Sequence, residues 1–225
     1  MSNKYIRLPS SRQEFIESLR QIAEIESEGV CLDLGCGDGW SKEELENLGY
    51  VWVGGDISPS SNASAVCDGH HLPFPDDCFD LVISYATLEH FHAPWLAIKE
   101  ISRCCKPRAL FAGTCAFLEP FHAESYFHMS HLGLEKILNE GGFEVLHIWP
   151  GWHVLEAQAQ LFHVRFLYRF RNLGRFLAPK VASLLHRMRF QAHKKNDPHC
   201  PDDWPLVDTL SFSGSIGFLA RNNAT

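Results

Sequence analysis

The sequence predicts a doubly wound α/β domain with a seven-stranded, mostly parallel sheet and a helical insertion before the last strand. Three observations carry this reading. Short apolar runs alternate with amphipathic stretches along most of the chain. A glycine-rich turn, Gly35-Cys36-Gly37-Asp38-Gly39, joins the first apolar run to a polar helical stretch. Acidic residues stand just past the ends of several runs. Parallel strands need a crossover helix to cover the sheet face, so this alternation implies a layered sheet.

Residues 12–25 place Phe15, Leu19, Ile22 and Ala23 at helical spacing, and the apolar run 30–34 follows as a first strand. After the glycine turn, 41–48 reads as a helix and 51–55 as a second strand ending in Asp56. Residues 65–67 form a short third strand, 79–84 a fourth, 95–105 a helix and 110–117 a fifth strand. A helix over 132–139 is closed by Gly141-Gly142; strands over 143–148 and 211–220 complete the set.

The 225 residues, 45% hydrophobic and 21% charged, suit one globular α/β domain over 1–225. The N-terminal stretch shows neither the apolar core of a secretory signal nor the Arg-rich character of a transit peptide, so a cytoplasmic address is expected. Eight cysteines lie mostly in apolar runs and read as reduced thiols. The formal charge of −7 is unevenly spread: residues 157–196 hold nine Lys or Arg and no acid, leaving about −16 on the rest.

In open α/β sheets ligands bind beyond the carboxyl ends of the strands. Three glycines at alternate positions after the first strand let the backbone turn tightly and approach a ligand, and amides at a helix start suit a carboxylate. Such a loop alone serves equally as a structural turn. A dinucleotide fingerprint would put glycine at position 40, where Trp40 stands. Asp33, at the strand end, is consistent with an ammonium partner.

At 33–39 the sequence resembles the first signature of class I S-adenosylmethionine-dependent methyltransferases, whose fold is Rossmann-like. The likeness covers roughly 29–149 and a terminal strand. It implies that Asp56 grips the ribose hydroxyls, as a carboxylate can accept from a vicinal diol; a helix N-cap is the ordinary alternative. The stretch 67–80 is similar to the adenine-site segment, with Asp68 as acceptor from the exocyclic amine and Asp80 structural. Residues 84–90 resemble the segment that closes over the cofactor. The implied cofactor set is Asp33, Gly35, Cys36, Gly37, Gly39, Trp40, Asp56, Ile57, Asp68, Gly69, His70, Ser84, Tyr85 and His90. Within the superfamily the chain looks closest to the type 11 small-molecule group. One subgroup uses a Glu-x-x-Glu-His cluster as a metal site; here Glu89-His90 remains but Ala86 replaces the first Glu, so no metal is expected.

Methyl transfer is an in-line displacement at a sulfonium carbon, so alignment is the main task, with a general base adding ~10²–10⁴-fold where the acceptor loses a proton. Histidine suits that role. His122, His128, His131 and Tyr126 share the stretch 119–131, which resembles a "PFH…Y" segment of envelope-sugar and lipid methyltransferases. His122 is the expected base or acceptor-orienting group, supported by Tyr126 and His128. The alternative is that these residues only cap helices or close a loop.

The insertion, 151–208, mixes large apolar with basic residues, and two helices are expected over 154–173 and 181–189. A lid is the favoured reading, peripheral contact with anionic membrane through 157–196 the second, and Arg165, Arg169 and Arg171 the contacts for an anionic acceptor. Nucleic acid is disfavoured by the acidic remainder. Beside a methyltransferase acting on a small molecule stand two other classes: a non-catalytic S-adenosylmethionine-binding partner subunit, and a nicotinamide-dependent oxidoreductase.

Overall fold

The computed structural model describes residues 4–8, 12–23, 28–151, 184, 188, 209–211 and 213–223. The expected insertion helix over 154–173, with Arg165, Arg169 and Arg171, lies outside the described residues; of the one expected over 181–189 only Leu184 and Met188 are described, both helical. In chain order the elements are α1 (Arg12–Ile22), β1 (Gly29–Leu34), α2 (Lys42–Asn47), β2 (Tyr50–Asp56), β3 (Ala65–Val66), β4 (Phe79–Tyr85), a 3-10 turn (Leu88–His90), α3 (Pro94–Cys104), β5 (Cys105–Ala116), α4 (His131–Glu140), β6 (Phe143–Pro150) and β7 (Ser215–Asn222). The seven strands form one sheet in the order β3-β2-β1-β4-β5-β7-β6.

Side chains alternate across a strand, and each face of this sheet needs its own cover. Cys31, Leu81, Ile83, Ala112 and Leu219 pack with Phe15, Ile16 and Leu19 of α1 and Leu45 of α2. The neighbouring positions Leu32, Leu34, Val82, Phe111 and Phe218 pack with Ala97, Ile98, Ile101 and Cys104 of α3 and Leu134 and Leu138 of α4. A central strand of such a sheet is apolar on both sides; β1 obeys this except at Asp33, which is fully enclosed.

β1 to β5 pair in parallel, whereas β7 runs antiparallel to both β5 and β6. A strand entering between two parallel neighbours from the end where β6 finishes needs no crossover, which explains the single reversed strand. β7 begins at Ser215, later than the expected 211, because Leu210 is helical and buried and the Ser213 amide turns back to the Leu210 carbonyl at 3.2 Å. β5 begins at Cys105, earlier than expected, directly from the end of α3. The seven described cysteines are free thiols.

Arg103 ties α3 to the segment leading into β4. Its guanidinium donates to the Leu72 and Phe74 carbonyls at 3.1 and 2.9 Å, to Asp76 at 2.7 Å and to both Glu100 oxygens. Asp80 likewise acts structurally, taking Lys106 Nζ on both oxygens at 2.8 Å and the Val30 amide at 2.9 Å. Arg103→Ala is expected to cost about 2 kcal/mol of stability, since several charge-assisted hydrogen bonds are lost together. Urea denaturation of the variant against the native protein checks this, and an unchanged midpoint would refute it.

Candidate functional site

The strand order changes direction between β1 and β4, and there the loops after the two strands meet. Asp33 stands opposite Gly54 of β2 on one side and Ile83 of β4 on the other. Gly35, Gly37 and Gly39 all have positive φ, at 80°, 53° and 72°. At Gly35 a Cβ would lie 2.1 Å from Thr87 Oγ1, so the two loops touch only because position 35 has no side chain; at Gly37 a Cβ would meet nothing within 4 Å. The glycine turn thus packs on one side and stays open on the other.

Most amides of this turn are bonded within the protein. Those of Gly35 and Cys36 donate to the Gly55 carbonyl, Gly39 to the Cys36 carbonyl, and Gly37 to Asp56 Oδ2 at 2.9 Å. The expected array of amides waiting for a carboxylate is therefore largely occupied. Cys36 turns its side chain into the core and offers a ligand only backbone.

Asp33, read as an ammonium partner, is enclosed beneath the turn. Its Oδ2 accepts from Ser41 Oγ at 2.5 Å, Ser41 Oγ accepts from Trp52 Nε1 at 3.2 Å, and Oδ1 has no hydrogen-bond partner. Burial pushes its carboxyl up to about 6, against the opposing pull of Ser41, Trp52 and Arg12. Asp56, at the end of β2, accepts the Gly37 amide on Oδ2 and the Ser58 amide on Oδ1 at 2.8 Å, leaving further lone pairs on both oxygens. Ile57 beside it is exposed.

Trp40 and Tyr85 meet across the crevice with ring centroids 5.5 Å apart, and Phe15 of α1 stands against both. Arg12 caps the group, its guanidinium 4.9 Å from the Trp40 ring centre and paired with Asp38. Ser84 is buried and its hydroxyl has no partner. Farther along the edge, Asp68 Oδ1 pairs with His70 Nδ1 at 2.6 Å and takes the His70 amide, while His70 Nε2 accepts the Ala93 amide at 3.2 Å. The donated His70 amide is the main cause holding Asp68 below the usual carboxylate range. Gly69 lies so close to Phe91 that a Cβ would overlap the ring.

A second group lies past β4 and β5. Glu89 is fully buried with neither carboxylate oxygen hydrogen-bonded. His90, grouped by resemblance with the cofactor residues, stands with His122 instead, ring centroids 5.2 Å apart; His122 and His128 are 6.1 Å apart. Tyr126 departs from the expected trio: it is exposed and faces His92 at 6.5 Å. Both His128 nitrogens are engaged, with the Phe117 carbonyl and Ser125 Oγ. Glu119 is pushed up to about 7, by burial first and by Glu89 second, with His122 and His90 opposing. Arg12, Phe15, Ser41, Thr87 and Glu119 were not assigned to the site from sequence. Arg12 and Phe15 come from a helix before the glycine signature, and no motif marks them.

The described edge defines an α/β protein with its crevice at the β1/β4 switch point. Residues 32–113 match the methyltransferase domain family, type 11. Over that stretch the chain carries the sequence pattern of a methyltransferase domain, on the α/β sheet described above. It is 35% identical over 95 residues to the 18S rRNA (guanine-N(7))-methyltransferase bud23 of Schizosaccharomyces pombe, covering 37% of this chain and 35% of that protein. It is 30% identical over 134 residues to the mitochondrial arginine-hydroxylase NDUFAF5 of Rattus norvegicus, covering 54% and 37%. The chain spans little more than a third of the length of either relative. It shares the fold of phosphoethanolamine N-methyltransferase 2 of Haemonchus contortus, solved with S-adenosyl-L-methionine, at TM-score 0.60 and 17% identity, covering 99% of this chain and 55% of that one.

Asp33 generates a sign-specific prediction. The unfolded carboxyl releases its proton near 3.8 and the folded one near 6, so between these values the folded state holds more protons and loses stability as pH rises. Asp33→Asn removes this penalty. The variant should gain on the native protein as pH rises from about 4 to about 6, to a plateau of roughly 3 kcal/mol at most. Urea denaturation across pH checks this; a difference independent of pH would contradict it.

Proposed function

We propose that this chain transfers the methyl group of S-adenosylmethionine to a small-molecule acceptor, with the cofactor in the crevice between the β1 and β4 loops and the acceptor on the Glu89–His122 side. The observation that carries the reading is the open face at Gly37 beside Asp56, a carboxylate with lone pairs to spare, in a segment that matches the methyltransferase family. The residues fit the cofactor. Asp56 can accept from the two ribose hydroxyls, and Asp68 keeps Oδ2 for the exocyclic amine of adenine while His70 occupies Oδ1. Trp40 and Tyr85 wall the crevice and exclude water from it. Asp33 holds the turn from beneath, and in this conformation its charge acts on an ammonium group through space rather than by contact.

When bound, S-adenosylmethionine supplies an electrophilic methyl on a sulfonium, so the protein's own work is alignment and, for some acceptors, removal of a proton. His122 suits the acceptor side. Its Nδ1 lies 3.1 Å from the Pro120 carbonyl and donates to it, which leaves the lone pair on Nε2. His128, held at both nitrogens, positions the loop. The insertion 151–208 would select the acceptor, with Arg165, Arg169 and Arg171 as contacts for an anionic or lipid-linked sugar intermediate and 157–196 as a surface for anionic membrane. No described helix is long and apolar enough to cross a membrane.

Calorimetric titration with S-adenosylhomocysteine tests the cofactor half. Saturable binding by the native chain should weaken by about 10–100-fold in Asp56→Ala, the loss expected for charge-assisted hydrogen bonds. No binding by a well-folded native chain would refute the reading. Binding without turnover on any acceptor would favour the non-catalytic partner subunit instead.

A further inference from the structure

We propose that Glu89, His90 and His122 bind a divalent transition-metal ion on the acceptor side of the crevice. Each of the three offers one donor atom, and these atoms lie within 4.8 Å of one another. They come from two segments, the 3-10 turn after β4 and the loop after β5. The two are fastened together, because the Glu89 carbonyl accepts the Tyr126 and Phe127 amides at 2.7 and 3.2 Å. A site assembled in this way is held before any ion arrives.

Three features of the side chains point to a cation. Glu89 is fully enclosed with both oxygens lacking a hydrogen-bond partner, a state a buried carboxylate tolerates only when protonated or when matched by positive charge. No Lys or Arg forms an ion pair with Glu89 or Glu119 among the described residues. Finally, His90 and His122 each set Nδ1 against a backbone carbonyl, of Glu124 at 3.2 Å and of Pro120 at 3.1 Å. Metal-ligating histidines are oriented in this way, with the second nitrogen's lone pair left for the ion.

Two imidazoles and one carboxylate suit zinc, manganese, iron or cobalt better than magnesium or calcium. His122 is exposed, so the ion has a route from solvent, and three protein ligands leave positions open for water or an acceptor oxygen. An ion there would orient an acceptor hydroxyl and favour its ionisation as a Lewis acid, taking the place of a histidine base. For that catalytic role the inference rests on the methyltransferase reading; for ion binding it does not.

The untagged 225-residue chain, stripped with chelator, is titrated with Zn²⁺ and Co²⁺ by calorimetry, and Co²⁺ is followed by its visible absorption. One ion per chain is expected, with affinity at least about tenfold lower in His122→Ala and in Glu89→Gln. His122 is on the surface, so its variant folds even where Glu89→Gln does not. Absence of saturable binding, or binding unchanged by His122→Ala, overturns the proposal. S-adenosylhomocysteine is titrated in parallel and should bind His122→Ala as it binds the native chain. Loss of metal binding with retained S-adenosylhomocysteine binding in His122→Ala supports both readings. A native chain that takes S-adenosylhomocysteine but no metal overturns this one alone.

Discussion

The functional edge depends on one adjacency, β1 beside β4. The winding of the sheet proceeds from β1 toward β3 and then resumes on the other side at β4, so no crossover helix fills the space above this pair. The loops that leave the two strands must share that space. Gly35 and Thr87 show how tightly they do so, since any side chain at position 35 would occupy the volume of the threonine hydroxyl. The crevice is the gap left where packing stops, on the open side of Gly37.

Two buried carboxylates flank this gap, and their surroundings differ in kind. Asp33 receives a hydroxyl proton from Ser41, which is in turn backed by the Trp52 indole, so its burial is partly compensated by a donor chain. Glu89 has no such chain. Its neighbours are His90, His122 and the half-buried Glu119. The first acid shapes a loop; the second is enclosed without a hydrogen-bond partner, a state that calls for a proton or a cation beside it.

The sheet was legible in the sequence because its strands are buried on both faces and read as apolar runs punctuated by turns; every expected strand is present. The reversed direction of β7 was not legible, since a run such as Ser215–Asn222 is equally apolar in either orientation. Within the site, glycines and strand-end acids announced the β1 and β2 loops. The aromatic wall was half visible: Trp40 and Tyr85 follow strands, whereas Phe15 and Arg12 reach the crevice from α1 through tertiary packing alone. Spacing along the chain also hid the meeting of Glu89 and His90 with His122, because the distance between those segments is set by the β4–β5 pairing. Ala86, the residue that argued against a metal, lies in the left-handed region at φ 52° and bonds through its amide to Thr114, a backbone role rather than a ligand's.

The insertion departs from and returns to the sheet at a single point. β6 ends beside the start of β7, the Gly151 amide reaches the Ser215 carbonyl at 2.8 Å, and the returning chain at Gly214 receives the Phe117 amide at 2.7 Å. The excursion between these anchors therefore behaves as an exchangeable cassette. Closing it costs entropy that grows only slowly, about 0.6 kcal/mol for each doubling of length, so segments of other sizes can occupy the position without disturbing the strands beneath. Divergence within such a scaffold can proceed by rewriting one contiguous stretch between β6 and β7, leaving the β1 and β4 loops and their buried acids in place.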